Sequence, residues 1–166
     1  VALAEAAEAA GLHGFFRSDH YTMIQGTPGG ALDAWSTISG LAAITKTLRL
    51  GTLVSPMTFR HPSNMARVVT SADHISGGRV EMGIGTGWYE LEHTQNGFAF
   101  PDLKTRFDML IEQVEVIVKS WTEENFSHEG AHYTLQNQSA LPHPVQDPHP
   151  PIVIGGAAGP RSLALA

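Results

Sequence analysis

Residues 77–92, GGRVEMGIGTGWYELE, constrain the fold more than any other stretch of the chain. Gly77-Gly78 punctuate a turn. Val80, Met82 and Ile84 then alternate with Arg79, Glu81 and Gly83, which reads as a short strand. That strand runs straight into Gly85-Thr86-Gly87, where glycines let a ligand approach the backbone. Trp88, Tyr89, Glu90 and Glu92 follow at once. Glycines and polar groups gathered at the carboxyl end of a strand point to an α/β protein, whose chemistry sits beyond the carboxyl ends of parallel strands. A glycine pair alone also suits a plain tight turn, so the rest of the chain has to decide.

The same grammar repeats on both sides. Residues 2–10 are strong helix formers, stopped by Gly11. Gly14-Phe15-Phe16 is a short apolar strand that ends in Arg17-Ser18-Asp19-His20-Tyr21. Residues 22–30, with Gly26, Pro28, Gly29 and Gly30, form a loop suited to act as a lid. Leu32, Trp35, Ile38, Leu41, Ala42 and Thr45 keep helical spacing and predict a helix over 31–47. Residues 48–55, LRLGTLVS, are the next strand, closed by Pro56, and 63–76 a helix capped by Ser63. A loop connects the central strand to Asp102. Residues 103–121 then make the clearest helix, with Phe107, Leu110, Val114, Ile117 and Trp121 on one stripe. Residues 126–135 read as a hairpin around Glu129-Gly130, and 139–151 as a Pro- and His-rich connector. Ile152-Val153-Ile154 is a buried strand, turned into a final helix by residues 155–161.

Strands alternating with amphipathic helices mean parallel pairing with right-handed crossovers. Four such units make about half of a (β/α)₈ barrel or most of an open doubly wound sheet. No G-x-G-x-x-G opens a helix after the first strand, and GIGTG lacks the third glycine, so the choice falls on the barrel. The chain starts at Val1, and its first and last segments read as helices taken from longer elements. The expectation is a fragment: one incomplete TIM-barrel domain over 1–166, lacking the first strand and the C-terminal part, with a hairpin and Pro-rich insertion at about 122–151.

With 166 residues, 42% of them hydrophobic, the chain has enough apolar side chains for one core. Net charge is −6 with ten Lys and Arg and no basic run, which argues against nucleic acid as a partner. No apolar run approaches the roughly 20 residues that span a bilayer. No secretory pattern opens the chain, and a cytoplasmic location is the default expectation. Cysteine is absent, which excludes disulfides and thiolate metal sites. The nine His include no H-x-H arrangement, and the one H-E-x-x-H match, residues 128–132 (HEGAH), falls in the segment read as a hairpin and not on a helix; no metal site is expected, and His61 and His74 read as structural.

Several strand ends together resemble one family. They are Arg17-Ser18-Asp19-His20-Tyr21, residues 50–56 (LGTLVSP) with Arg60-His61-Pro62, and residues 73–79 (DHISGGR) with 83–88 (GIGTGW). Arg106-Phe107, Trp121, Glu129-Gly130 with His132-Tyr133, and Pro150-Pro151-Ile152 with Gly155-Gly156 continue the likeness. The chain resembles the luciferase-like flavin and deazaflavin oxidoreductases, most of all the subgroup that uses the deazaflavin coenzyme F420. The resemblance implies a TIM barrel that exchanges hydride between F420 and an organic substrate. It also implies a homodimer at full length and an inactive isolated fragment. His20 falls at a catalytic His, suited to general acid–base work because imidazole titrates near neutral pH. Asp19 falls at a cofactor contact. Leu53-Val54, with Ser55 after it, falls at a bulge whose non-proline cis peptide backs the ring. Thr86, Gly87 and Trp88 match a cofactor-binding segment. Gly155 and Gly156 match phosphate-side backbone contacts, with Arg161 close to the following helix start. One position departs: Trp88 stands where sugar-phosphate dehydrogenases of the family carry a catalytic Glu, although Glu90 or Glu92 offers a carboxylate nearby. The alternatives are an FMN-dependent monooxygenase using molecular oxygen, or a non-catalytic flavin-binding protein on the same barrel.

Overall fold

A computed structural model describes residues 1–22, 29–157 and 159–166. Most of the loop expected over 22–30, and Ala158 in the turn before the last helix, lie outside the described residues.

Four parallel barrel strands follow one another in space in the order they occur in the chain. Helix α1 (Ala2–Ala9) leads to β1 (Gly14–Arg17), and α2 (Ala34–Ile44) to β2 (Arg49–Thr52). A two-residue β3 (Ser55–Pro56) and a 3₁₀ turn (Met57–Phe59) precede α3 (Pro62–Ser76) and the central strand β4 (Val80–Gly85). Then come α4 (Glu90–Asn96), α5 (Leu103–Thr122), a hairpin of β5 (Asn125–Glu129) and β6 (Thr134–Ser139), β7 (Ile152–Ile154) and α6 (Pro160–Leu165). Strand β1 pairs with β2, both β2 and β3 pair with β4, and β7 takes the other side of β4, all parallel. This unreversed order puts the packed helices on one face, as in a barrel; a doubly wound sheet reverses direction at a switch point.

The strand expected over 48–55 is interrupted. Gly51 lies opposite Glu81 and Ser55 opposite Ile84, four residues against three, so one extra residue is accommodated at Leu53-Val54. Strands β2 and β3 are thus two halves of one barrel strand, and the Leu53–Val54 peptide is cis, as the resemblance implies. The helix expected over 31–47 is shorter, because Asp33 caps it: its carboxylate accepts from Ser36 N at 2.7 Å. The cap of α3 is His61, not Ser63. His61 Nδ1 accepts the Ser63 N–H at 3.3 Å, and Pro62 fills the first turn, where a missing N–H costs nothing. His74 donates to the His143 carbonyl at 2.7 Å, a structural role as expected.

The two-residue period of β4 sends Val80, Met82 and Ile84 into the core, where each is fully buried with Leu50. Trp35, Ile38, Met65, Val69, Leu110, Ile117 and Trp121 of the helices pack on them. Each such side chain contributes about 1.5–3 kcal/mol by leaving water. The two buried indoles find acceptors: Trp121 donates to Ala66 O at 3.2 Å and Trp35 to Ser55 Oγ at 3.1 Å. On the opposite face of β4, Gly83 is small for a reason: a Cβ there would lie 1.9 Å from the Thr52 carbonyl oxygen. No described helix is long and apolar enough to cross a membrane.

Candidate active site

A cavity of about 320 Å³ opens at the carboxyl ends of the strands. It is lined by His20 after β1, Leu53, Val54 and Pro56 at the bulge, residues 85–88 at the end of β4, and Gly155-Gly156 after β7. Its floor is backbone. A Cβ on Gly155 would meet Val54 Cγ2 at 2.5 Å, and one on Gly85 would meet the same methyl at 3.1 Å. Gly87 has φ 76°, which only glycine adopts freely. Its carbonyl accepts from the Arg106 guanidinium at 2.6 Å, and Arg106 in turn stacks 3.7 Å from the Phe100 ring. Two large apolar side chains stand at the rim, Leu53 at 62% and Trp88 at 64% exposure.

His20 is the one titratable group among the described lining residues. Its Nδ1 lies 2.7 Å from Glu92 Oε2. A carboxylate only accepts, so Nδ1 carries the proton and donates it. The other oxygen, Oε1, accepts the backbone N–H groups of Tyr21 and Thr22, the latter at 2.7 Å. Glu92 is fully buried. Trp88 and Tyr89 meet the imidazole edge-on, with ring centroids at 6.0 and 6.5 Å. Next to Glu92, His93 Nδ1 donates to Tyr89 O at 2.8 Å, and Nε2 shares a hydrogen bond with the Thr58 hydroxyl.

Asp19 and Ser55 stand behind the cavity wall instead of on it. Asp19 is fully buried and its carboxylate is taken by the Ser55 hydroxyl, at 2.6 Å, and by the Arg60 guanidinium. Arg60 also pairs with Asp33, and burial, which favours the neutral guanidine, is outweighed by Asp19, which holds its pKa above the usual value. Burial likewise pushes the Tyr21 phenol up. Neither Asp19 nor Ser55, both expected as cofactor contacts, lines the cavity; their side chains bind each other and Arg60 behind its wall.

At the expected phosphate contact, two groups are already engaged with the protein itself. The Gly155 N–H donates to Ile84 O at 2.7 Å and so extends the β-ladder. The Gly155 N–H is therefore already paired. Arg161 points elsewhere, pairing with Asp108 and lying 4.4 Å over Phe107. The remaining expected residues, His20, Leu53, Val54, Thr86, Gly87, Trp88 and Gly156, meet at one cavity. The sequence offered Glu90 or Glu92 as a nearby carboxylate; the structure puts Glu92 behind His20. Arg106 entered only as part of the likeness, with no role; the structure ties it to the Gly87 carbonyl. The signal for Glu92 was present, because acidic residues opening a segment that Gly97 closes spell a helix first turn and stop. Among the described residues no group of three or more His, Asp and Glu is arranged to hold a metal.

Parallel strands in barrel order with a glycine-floored cavity at their carboxyl ends define a TIM-barrel protein with its site in the usual place for that fold. A family model described as luciferase-like monooxygenase matches residues 1–166, and the chain belongs to that family. It is 34% identical over 161 residues to an F420-dependent glucose-6-phosphate dehydrogenase of Microbacterium testaceum, covering 96% of this chain and 47% of that one. It is 31% identical over 167 residues to an F420-dependent hydroxymycolic acid dehydrogenase of Mycobacterium tuberculosis, covering 100% and 45%. The crystal structure of a monooxygenase from Streptomyces bottropensis superposes with a TM-score of 0.85 at 30% identity, over 96% of this chain and 47% of that one. The chain spans about half the length of the curated relatives it matches.

Proposed function

We propose that the protein containing this chain is an F420-dependent oxidoreductase that exchanges hydride with a small organic substrate at this cavity. The observation that carries the reading is His20: Nδ1 is committed to Glu92, while Nε2 makes no hydrogen bond among the described residues and the ring lines the cavity. The F420-dependent relatives at 34% and 31% identity support the choice of cofactor. The cavity suits a flat ring, since Val54 and the glycines at 85 and 155 pack so closely that no side chain could intrude. When bound, the deazaflavin supplies two-electron hydride chemistry.

The chain's own residues do the rest. Leu53 and Val54 back the ring from the bulge. Thr86, Gly87 and Gly156 offer backbone at its edge, and Arg106 keeps the Gly87 peptide in place through its carbonyl. Trp88 walls the substrate side and shields it from water. His20 Nε2 gives a proton to, or takes one from, the substrate oxygen whose carbon gains or loses hydride. The Trp at position 88 favours an apolar or aromatic substrate over a sugar phosphate.

The test is steady-state turnover of the complete encoded protein under argon, using the visible absorption of F420. His20→Ala is expected to lower kcat about 10²–10⁴-fold, the usual worth of a general acid–base, with F420 affinity little changed. Unchanged turnover would remove His20 from the chemistry. The likeness to a monooxygenase at 30% identity favours a second reading, FMN-dependent oxygenation. Turnover that requires both FMN and oxygen would establish it instead.

A further inference from the structure

His20 is held by a residue that never reaches the cavity. Glu92 comes from α4, 72 positions along the chain, and its carboxylate is fully buried. A buried carboxylate is costly unless its lone pairs are matched. Here Oε2 takes the imidazole Nδ1–H, and Oε1 takes the N–H groups of the two residues that follow His20. One carboxylate therefore fixes both the ring of His20 and the main chain beside it.

We propose that Glu92 is a positioning residue that locks His20 in the Nδ1–H tautomer and keeps Nε2 as the proton-carrying atom at the cavity. The tautomer follows from the partner. A ring nitrogen facing a carboxylate must donate, so in the neutral imidazole the lone pair is left on Nε2. When Nε2 is protonated as well, the adjacent carboxylate balances the new charge. Both directions of proton transfer at Nε2 are thus served by one fixed ring.

Glu92→Gln separates this role from mere packing, because it keeps size and shape. The amide oxygen is needed by Tyr21 N and Thr22 N, which puts the amide NH₂ against His20 Nδ1. Two donors cannot face each other, so Nδ1 must become the acceptor and the proton moves to Nε2. An analogous carboxylate-to-amide change behind a catalytic histidine costs about 10⁴-fold in kcat through the wrong tautomer.

The experiment labels histidine rings with ¹⁵N in the complete encoded protein without added cofactor, with His20 assigned by signal loss in His20→Asn. Wild type is expected to show His20 protonated at Nδ1. Glu92→Gln is expected to show it protonated at Nε2, with kcat down about 10²–10⁴-fold and F420 affinity within a few-fold of wild type. Glu92→Asp, which keeps the charge, is expected to restore the Nδ1–H tautomer and part of the rate. A wild-type His20 protonated at Nε2 would overturn the proposal. So would a Glu92→Gln protein that loses rate with its tautomer unchanged, or one that keeps its full rate. If Glu92→Gln does not fold, the wild-type tautomer and Glu92→Asp decide. The inference rests on His20 as proton carrier, but the two fail separately: turnover of His20→Ala tests the carrier, and the ring spectrum tests Glu92 without any turnover.

Discussion

At the scale of single residues, carboxylates that accept backbone N–H groups recur as fasteners. Glu8 of α1 receives the N–H groups of Thr47, Lys46 and Leu48 just before β2, and those of Thr47 and Lys46 do most to lower its pKa from 4.5 to about 2. A depressed folded-state pKa means stability that is fully present above the unfolded value and lost as pH falls toward the folded one. Glu8→Gln is therefore expected to be less stable than the parent near neutral pH, with the gap closing between about pH 5 and pH 2. Urea unfolding across that range checks it; a gap that does not depend on pH would contradict it. Sequence alone reveals which polar residues sit at strand ends, and hence His20, Thr86, Gly87 and Trp88. It does not reveal which way each side chain turns once the strand has ended. His20 and Asp19 are adjacent, yet one lines the cavity and the other is buried behind it. That depends on Ser55 and Arg60, 36 and 41 positions away, as Asp19's partners.

At the scale of elements, the long helices α3 and α5 were legible, α3 from its start after Pro62 and α5 from an apolar stripe that repeats over about five turns. Helix α4 was missed, because its seven residues ELEHTQN carry no apolar stripe and only the acidic start and the Gly97 stop mark it. Yet α4 places Trp88 before its first turn, Glu92 behind His20, and His93 under Gly87, whose Cβ would lie 3.5 Å from His93 Cε1. The division of the second barrel strand into β2 and β3 was equally hidden: the run LRLGTLVS reads as continuous, and only its register on β4 exposes the extra residue. The hairpin was legible from Glu129-Gly130, but its fastening was not. Glu112 of α5 accepts from Tyr133 N at 2.8 Å, His132 N at 3.0 Å and His128 Nε2 at 3.1 Å. Burial alone would raise the Glu112 pKa; the Tyr133 N–H and His128 outweigh it and hold it low. Glu112→Ala leaves those donors unpaired and is expected to cost about 1–3 kcal/mol. Hydrogen exchange is expected to quicken across residues 128–135 while F420 affinity stays the same. Unchanged exchange there would show that the hairpin is held by its apolar contacts instead.

At the scale of the whole molecule, the absence of a dinucleotide fingerprint and the repeated strand ends were enough to favour a barrel, and the unreversed strand order bears that out. Strand β1 pairs only with β2, and β7 only with β4, so among the described residues the sheet has two open parallel edges. Open edges seek partners. The 166 residues expressed alone are expected to self-associate or to be poorly soluble. A monodisperse monomer with a cooperative melt, seen by sedimentation and calorimetry, would contradict this. The cavity spans the carboxyl ends of all four barrel strands, from His20 after β1 to Gly155-Gly156 after β7. The central claim, that this cavity is built for a deazaflavin, is tested most directly by equilibrium titration of the complete encoded protein with F420 and, separately, with FMN, followed by their absorption and fluorescence. Saturable binding of F420 at one site per chain, tighter than that of FMN, is the predicted result. No binding of F420, or tighter binding of FMN, would contradict it.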